Sequence, residues 1–356
     1  MNTEETQAMR TSRRNIMRFA AITGAVSAAS ATGALMVNAR QAHAADAIST
    51  VFPPEFAYPA VTGPALALWG SSSIEGVNAD QGVPAGVNAK LDVLLGSYLK
   101  APVLNFGRGG ETSTQILARR GSSQSMYKLI FPDDTVPASG SVEVSLAESS
   151  RIDFNTSSYV PGFIGDTPGT LVPTLTTGIY LFTRMVPGDP IYAPANTPAS
   201  RFYSYQEMIS RACYHLIQMG RNNLEETDKI RKDTQYAFES APERTLVMGH
   251  FPSRGDSKDS DRAKSVRAYN SWAAEKYGAL FLNPETYLRE TTQENWLRYG
   301  ALAGSGVWAS DTDQKARAEG KIPPSLFSSD GLHLNGWGYT ALAQMVYYKL
   351  TELGWF

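Results

Sequence analysis

Four short segments hold the side chains best suited to chemistry. In "LALWGSSSIEGV", Leu66 to Val77, an apolar run stops at Gly70 and three hydroxyls follow: Ser71, Ser72 and Ser73. "NFGRGGETS" runs from Asn105 to Ser113, "GRNN" from Gly220 to Asn223, and "SSDGLHLNGWGY" carries Asp330 and His333. Together they offer a hydroxyl, an imidazole, a carboxylate and several amide donors, the parts that acyl transfer needs. Asp330 stands three residues before His333 in one loop. It can accept from one ring nitrogen, fix the tautomer and leave the other nitrogen to take a proton. Taken alone, "GSSS" reads as a serine-lined turn, since Ser is a common turn residue. The other histidines are weaker candidates. His215 falls in a predicted buried strand as a core residue, and His250 ends "TLVMGH", where it could line a cleft, but no motif claims it.

The elements that must position these residues follow from hydrophobic pattern. "PALALWG", "APVLNFG", "YHLIQMG", "RTLVMG" and "GALFLN" read as short buried strands. Between them lie helical segments: "NAKLDVLLGSYLK", "LEETDKIRKDTQYAFES" and "SDRAKSVRAYNSWAAEKY". The closing helix, "GYTALAQMVYYKLTEL", turns Leu342, Met345, Val346, Leu350 and Leu353 inward. Strand and helix in alternation predict a three-layer α/β/α fold with a parallel central sheet. In such sheets, ligands gather beyond the carboxyl ends of the strands, and there the polar segments fall. From about 121 to 205 the rhythm breaks: Pro, Gly, Ser and Thr abound, and "SVEVSLAE", "GIYLFTRMV" and "SRFYSY" read as strands. This is expected to be a β-rich insertion in the α/β core. Arg289 to Ser329 reads as a second, less regular insertion.

The first 44 residues stand apart. Arg13 and Arg14 precede a weakly apolar run rich in Ala, Gly and Ser, which ends at Ala42-His43-Ala44, a small-x-small cleavage pattern. That is the form of a twin-arginine export signal. The expectation is a cleaved signal at 1–44 and an exported 45–356 domain, secreted, periplasmic or held at the cell wall, with no stable membrane insertion. The chain has 32 Lys+Arg and 34 Asp+Glu. Its net charge is −2, and loss of the segment's five arginines and two glutamates leaves about −5. Nothing in that balance points to nucleic acid. The single cysteine, Cys213, excludes an intrachain disulfide and reads as buried packing. No metal set is legible: Asp311 and Asp313 lack the glycine and distal carboxylate of a calcium loop, and "GRGGETS" lacks a phosphate-binding lysine.

The four polar segments resemble the sequence blocks of the SGNH (GDSL-type) hydrolases, named for a Ser, Gly, Asn and His set. "GSSSIEG", "NFGRGGETS", "GRNN" and "DGLHL" stand in the family's chain order. Four weak motifs in order make a specific signal. The resemblance implies a flavodoxin-like fold, Ser72 as nucleophile, His333 as general base and Asp330 as its orienting carboxylate. It also implies an oxyanion hole made by Ser72, Gly110 and Asn222, with no cofactor. Two departures stand out: Ser71 replaces the aspartate beside the nucleophile, and Asn223 replaces the aspartate after the asparagine. A literal "GDS" at Gly255–Ser257 follows the asparagine block in a charged loop and is a decoy.

Arg108 and Arg221 flank the oxyanion positions. They read equally as contacts for an anionic substrate group or as surface ion-pair partners of Glu75 or Glu111. The partner implied is an ester substrate. Export, with Tyr159, Phe163, Tyr180, Phe182 and Tyr192 in the insertion, favours an acylated carbohydrate, the same aromatics being equally able to form the insertion's own core. Lipid or aryl esters are the enzymatic alternative, and a non-catalytic glycan- or wall-binding protein is the other. Oligomeric state is not legible.

Overall fold

Along β1 (Leu66–Gly70) all five residues are buried, and they serve two cores in alternation. Leu66 and Leu68 enter one apolar cluster and Ala67 and Trp69 the other. A strand buried on both faces needs helices on both, and the computed structural model has them. It describes residues 65–122, 127–147, 160–290, 302, 305–307 and 310–356. The predicted signal and Tyr159 lie outside the described residues.

After β1 come α1 (Ser72–Glu75), α2 (Leu91–Leu99), β2 (Val103–Gly107) and α3 (Ser113–Arg120). Beyond the insertion come α4 (Tyr205–Ser210), β11 (Tyr214–Ile217), α5 (Thr227–Glu239), β12 (Thr245–Met248), α6 (Asp261–Tyr277), β13 (Phe281–Leu282) and α7 (Pro284–Glu290). Last are α8 (Asp311–Ala318) and α9 (Gly336–Glu352). The sheet runs β13-β12-β11-β1-β2, parallel throughout. With the sheet strands alone counted in chain order, this is 2-1-3-4-5, the flavodoxin-like doubly wound order. Leu91 and Leu95 of α2 join Leu342, Val346 and Leu350 of α9 on one face. Ile116 and Leu117 of α3, Ile230 of α5 and Val266 of α6 cover the other. The chain steps to opposite sides of β1, so the switch-point crevice opens at its carboxyl end, where the serines lie.

The β-rich segment closes on itself. Strands β3 (Tyr127–Ile130), β5 (Gly140–Leu146), β6 (Val160–Ile164), β7 (Thr167–Pro173), β8 (Ile179–Arg184) and β10 (Arg201–Ser204) form a barrel in the order β10-β3-β5-β8-β7-β6. A short ribbon pairs β4 (Thr135–Val136) with β9 (Ile191–Tyr192). Closure removes the exposed edges that an inserted sheet would leave. Phe182 sits between Phe131 and Phe202, edge-on to both, with centroids 5.5 and 6.3 Å away. Of the two readings of these aromatics, Tyr180 and Phe182, two apart on β8, take the insertion's own core. Phe163 is half-buried, and Tyr192 alone of the four described is well exposed, at 71%. At the barrel's root the Ser204 hydroxyl donates to the Arg119 carbonyl at 2.6 Å. Beside it, buried Glu207 accepts from Arg201 and Arg211 at 2.8 and 3.1 Å.

Candidate active site

The turn out of β1 is built by close packing. A Cβ on Gly70 would stand 2.3 Å from Ile74 Cγ1, so only glycine lets the strand fold straight onto α1. β2 clamps that short helix from the side. A Cβ on Gly107 would stand 2.1 Å from the Glu75 nitrogen. Asn105 Nδ2 donates to the Ile74 carbonyl at 2.9 Å and to Asp92 at 2.8 Å, while its oxygen accepts from the Gly107 amide. Ser72 opens α1 and is 8% exposed.

Across the crevice, His333 Nε2 lies 2.8 Å from Ser72 Oγ, and His333 Nδ1 lies 2.7 Å from Asp330 Oδ2. Asp330 Oδ1 accepts from the Ser328 hydroxyl at 2.7 Å and from the Leu332 and His333 amides at 2.8 and 2.9 Å. Burial works to raise the Asp330 carboxyl. The hydrogen bonds from His333, Ser328 and Leu332 outweigh it and hold the group well below the usual carboxylate range. An ionised Asp330 keeps the ring proton on Nδ1. The Nε2 lone pair then faces Ser72 and can take its proton.

The turn after β2 lies beside Ser72. Gly110 has φ +79, and a Cβ there would meet nothing within 4 Å. The Ser72 and Gly110 amides make no hydrogen bond among the described residues. A Cβ on neighbouring Gly109 would stand 3.8 Å from the Cβ of Ser72, which puts this turn against that serine. Asn222 Nδ2 donates to the Glu111 carbonyl at 2.9 Å, which ties it to the same turn and leaves its second hydrogen. Glu111 is buried and takes both carboxylate oxygens to Arg119, with Nε at 2.9 Å from each.

The two arginines part company. Arg108 stands at the rim, 37% exposed, with Nη1 3.8 Å from Glu111. Arg221 is at neither a substrate rim nor a surface ion pair, which corrects both sequence readings. It is 2% exposed, donates to the Phe251 and Leu332 carbonyls at 2.8 Å each, and lies 4.0 Å over the Phe251 ring. Burial brings its guanidinium down to about 10. Its place is to hold the segment that carries His333.

His250 is likewise buried rather than lining the cleft. Its Nε2 bonds the Met219 carbonyl at 2.8 Å, and burial lowers it to about 3, so it is a neutral N–H donor. His215 is a core residue that accepts from Trp69 Nε1 at 3.2 Å. Asn223 Oδ1 accepts from the Ser113 amide at 3.1 Å, a structural tie. The Gly255–Ser257 decoy forms a turn closed by the Asp256 carboxylate on the Ser253 amide. A cavity of about 210 Å³ beside it, lined by Arg254, Arg267 and Phe327 among others, includes none of Ser72, Asp330 or His333.

Sequence reasoning left two supports unassigned. Glu75 accepts from the Gly109 amide at 2.6 Å and so orients the Gly109–Gly110 turn. Ser328 belongs to the Asp330 shell above. Glu75 falls three residues after the nucleophile, one helical turn on, and that spacing is the signal that could have found it.

No family model matches the chain, and no curated protein does. Among solved structures the chain is similar to a member of the lipolytic protein G-D-S-L family from Veillonella parvula DSM 2008. The identity is 12% and the TM-score 0.35, over 82% of this chain and 97% of that one.

Proposed function

We propose that the protein is an SGNH-type serine hydrolase that cleaves carboxylic esters through an acyl-enzyme. The observation that carries this reading is the continuous Ser72–His333–Asp330 relay, at 2.8 and 2.7 Å, beside the Ser72 and Gly110 amides, which make no hydrogen bond among the described residues. Ser72 Oγ attacks the ester carbonyl while His333 Nε2 takes its proton. The carbonyl oxygen becomes an oxyanion held by the Ser72 and Gly110 amides and by Asn222 Nδ2, each such donor contributing roughly 3 kcal/mol in comparable sites. His333 then protonates the departing alkoxide, which leaves Ser72 acylated. Water repeats the cycle and frees the acid. No step calls on a metal or cofactor.

For the substrate, the reading favours O-acetyl groups on a carbohydrate. The export signature at the N-terminus supports a substrate outside the cytoplasm, and exposed Tyr192 supports contact with a sugar face. A p-nitrophenyl ester series of rising acyl length, run on the 45–356 protein and its S72A variant, tests this. The expected result is fastest turnover of acetate, with S72A at background. Preference for long chains would move the assignment to lipid esters. Equal, background rates for both folded proteins would leave a binding protein.

A further inference from the structure

We propose that Asn78 is a positioning residue for the acid–base pair, linking the nucleophile's own segment to Asp330; the catalytic consequence rests on the hydrolase reading above. Asn78 Nδ2 donates to Asp330 Oδ2 at 2.8 Å, the same oxygen that accepts from His333 Nδ1. It also lies 3.2 Å from the Ser328 hydroxyl, which itself donates to Asp330 Oδ1. One amide group therefore touches both members of the shell that sets the charge on the triad carboxylate.

The backbone is shaped to deliver it. Asn78 has φ +63, the left-handed region that asparagine tolerates better than most residues. The strap around it is cross-tied to the far side of the crevice at Val77, Gln81 and Gly82 as well. The Tyr339 hydroxyl donates to the Val77 carbonyl at 3.1 Å, and Gln81 accepts from the Ser329 and Gly336 amides at 3.0 and 2.8 Å. Trp337 Nε1 donates to the Gly82 carbonyl at 2.6 Å. Ser72 stands six residues before Asn78 in the same segment. The strap thus fixes the nucleophile and the Asp330–His333 loop to one another, and Asn78 is its polar contact with the carboxylate.

The direction of its effect follows from hydrogen bonding to the charged form. Two donors share Oδ2. With Asn78 removed, more of that oxygen's charge falls on the imidazolium, and His333 holds its proton to higher pH. A carboxylate in place of the amide adds a like charge beside Asp330 and pushes the same way more strongly. The other ionisable groups around the pair are Glu75 on α1, Arg221 after β11, Arg254 in the segment after β12 and Tyr339 on α9, with Arg262 and Asp256 behind Arg221. The substitutions leave all of them in place.

The test compares wild type, N78G and N78D. Glycine suits the positive φ, so N78G removes the amide without backbone strain. Histidine-selective NMR follows the His333 titration, and kcat/KM for p-nitrophenyl acetate is taken from pH 5 to 9. The expected result is a His333 midpoint above that of wild type in N78G and higher again in N78D. The loss in kcat/KM should be confined to low pH, up to about threefold at pH 6 in N78G and up to about tenfold in N78D, and nearly absent at pH 9. An unchanged His333 midpoint, or a loss uniform across pH with a lowered Tm, overturns the proposal and leaves Asn78 a structural residue. The NMR readout needs no turnover. If wild type and S72A hydrolyse ester equally, the hydrolase reading falls, and the titration still decides what Asn78 does to His333.

Discussion

The proposal that Ser72 is the nucleophile rests on what surrounds it, since a serine hydroxyl alone is a poor nucleophile at neutral pH. His333 Nε2 accepts from it, Asp330 fixes the ring, and the turn at Gly110 offers an amide with no partner among the described residues. Two glycines make separable predictions. At Gly110 a Cβ finds open space but meets a φ of +79. G110A should cost about 1–2 kcal/mol of stability and, by displacing the oxyanion amide, lower kcat about a hundredfold. Ester kinetics with thermal melting checks both. At this scale the sequence was informative about residue type and order: of the residues the polar segments named, the structure joins Ser72, His333 and Asp330 by hydrogen bonds, sets the Gly109–Gly110 turn beside Ser72 and ties Asn222 to the Glu111 carbonyl. Arg221 was not legible. Its burial depends on Phe251, and on a carbonyl at Leu332 that lies 111 positions away, and no local pattern records such a partner.

Among the elements, α1 decides where Ser72 points. Four residues cannot hold a helix by themselves, so the clamp comes from β2. The Cβ of G107A would collide with the α1 backbone at 2.1 Å, and backbone cannot yield as a side-chain tip can. G107A should cost about 3 kcal/mol or more in denaturant unfolding, and activity should fall through a shifted α1. It is the reverse of G110A, where activity suffers more than stability. The five sheet strands and their helices were legible because burial on two faces writes continuous apolar runs, and helices write a 3.6-residue period. Closure of the inserted strands into a barrel was not. Pairing of β10 with β6 joins residues 38 or more positions apart, and strand alternation says which side faces inward without saying which strand lies alongside.

On the scale of the whole molecule, the doubly wound order puts the switch point at the carboxyl end of β1, and four chain segments meet there. The barrel leaves that frame and returns to it between α3 and α4, anchored where Ser204 meets Arg119. Buried histidines give the fold a pH signature. His250 is held near 3 when folded against about 6.5 unfolded, so the unfolded chain binds the extra proton between those values. Stability is complete above about 6.5 and lost as pH falls; His250 alone should remove about 2 kcal/mol between pH 7 and 5. Chemical denaturation at both pH values, with H250N as the control that lacks this dependence, measures it. The most direct test of the central claim is labelling with a fluorophosphonate, which captures a serine only where base and oxyanion donors act together. Intact mass and peptide mapping should show a single adduct on Ser72, absent from S72A and much slower to form in H333A. No adduct on the folded protein, or an adduct on Ser71, Ser73 or Ser257 in place of Ser72, would contradict the account.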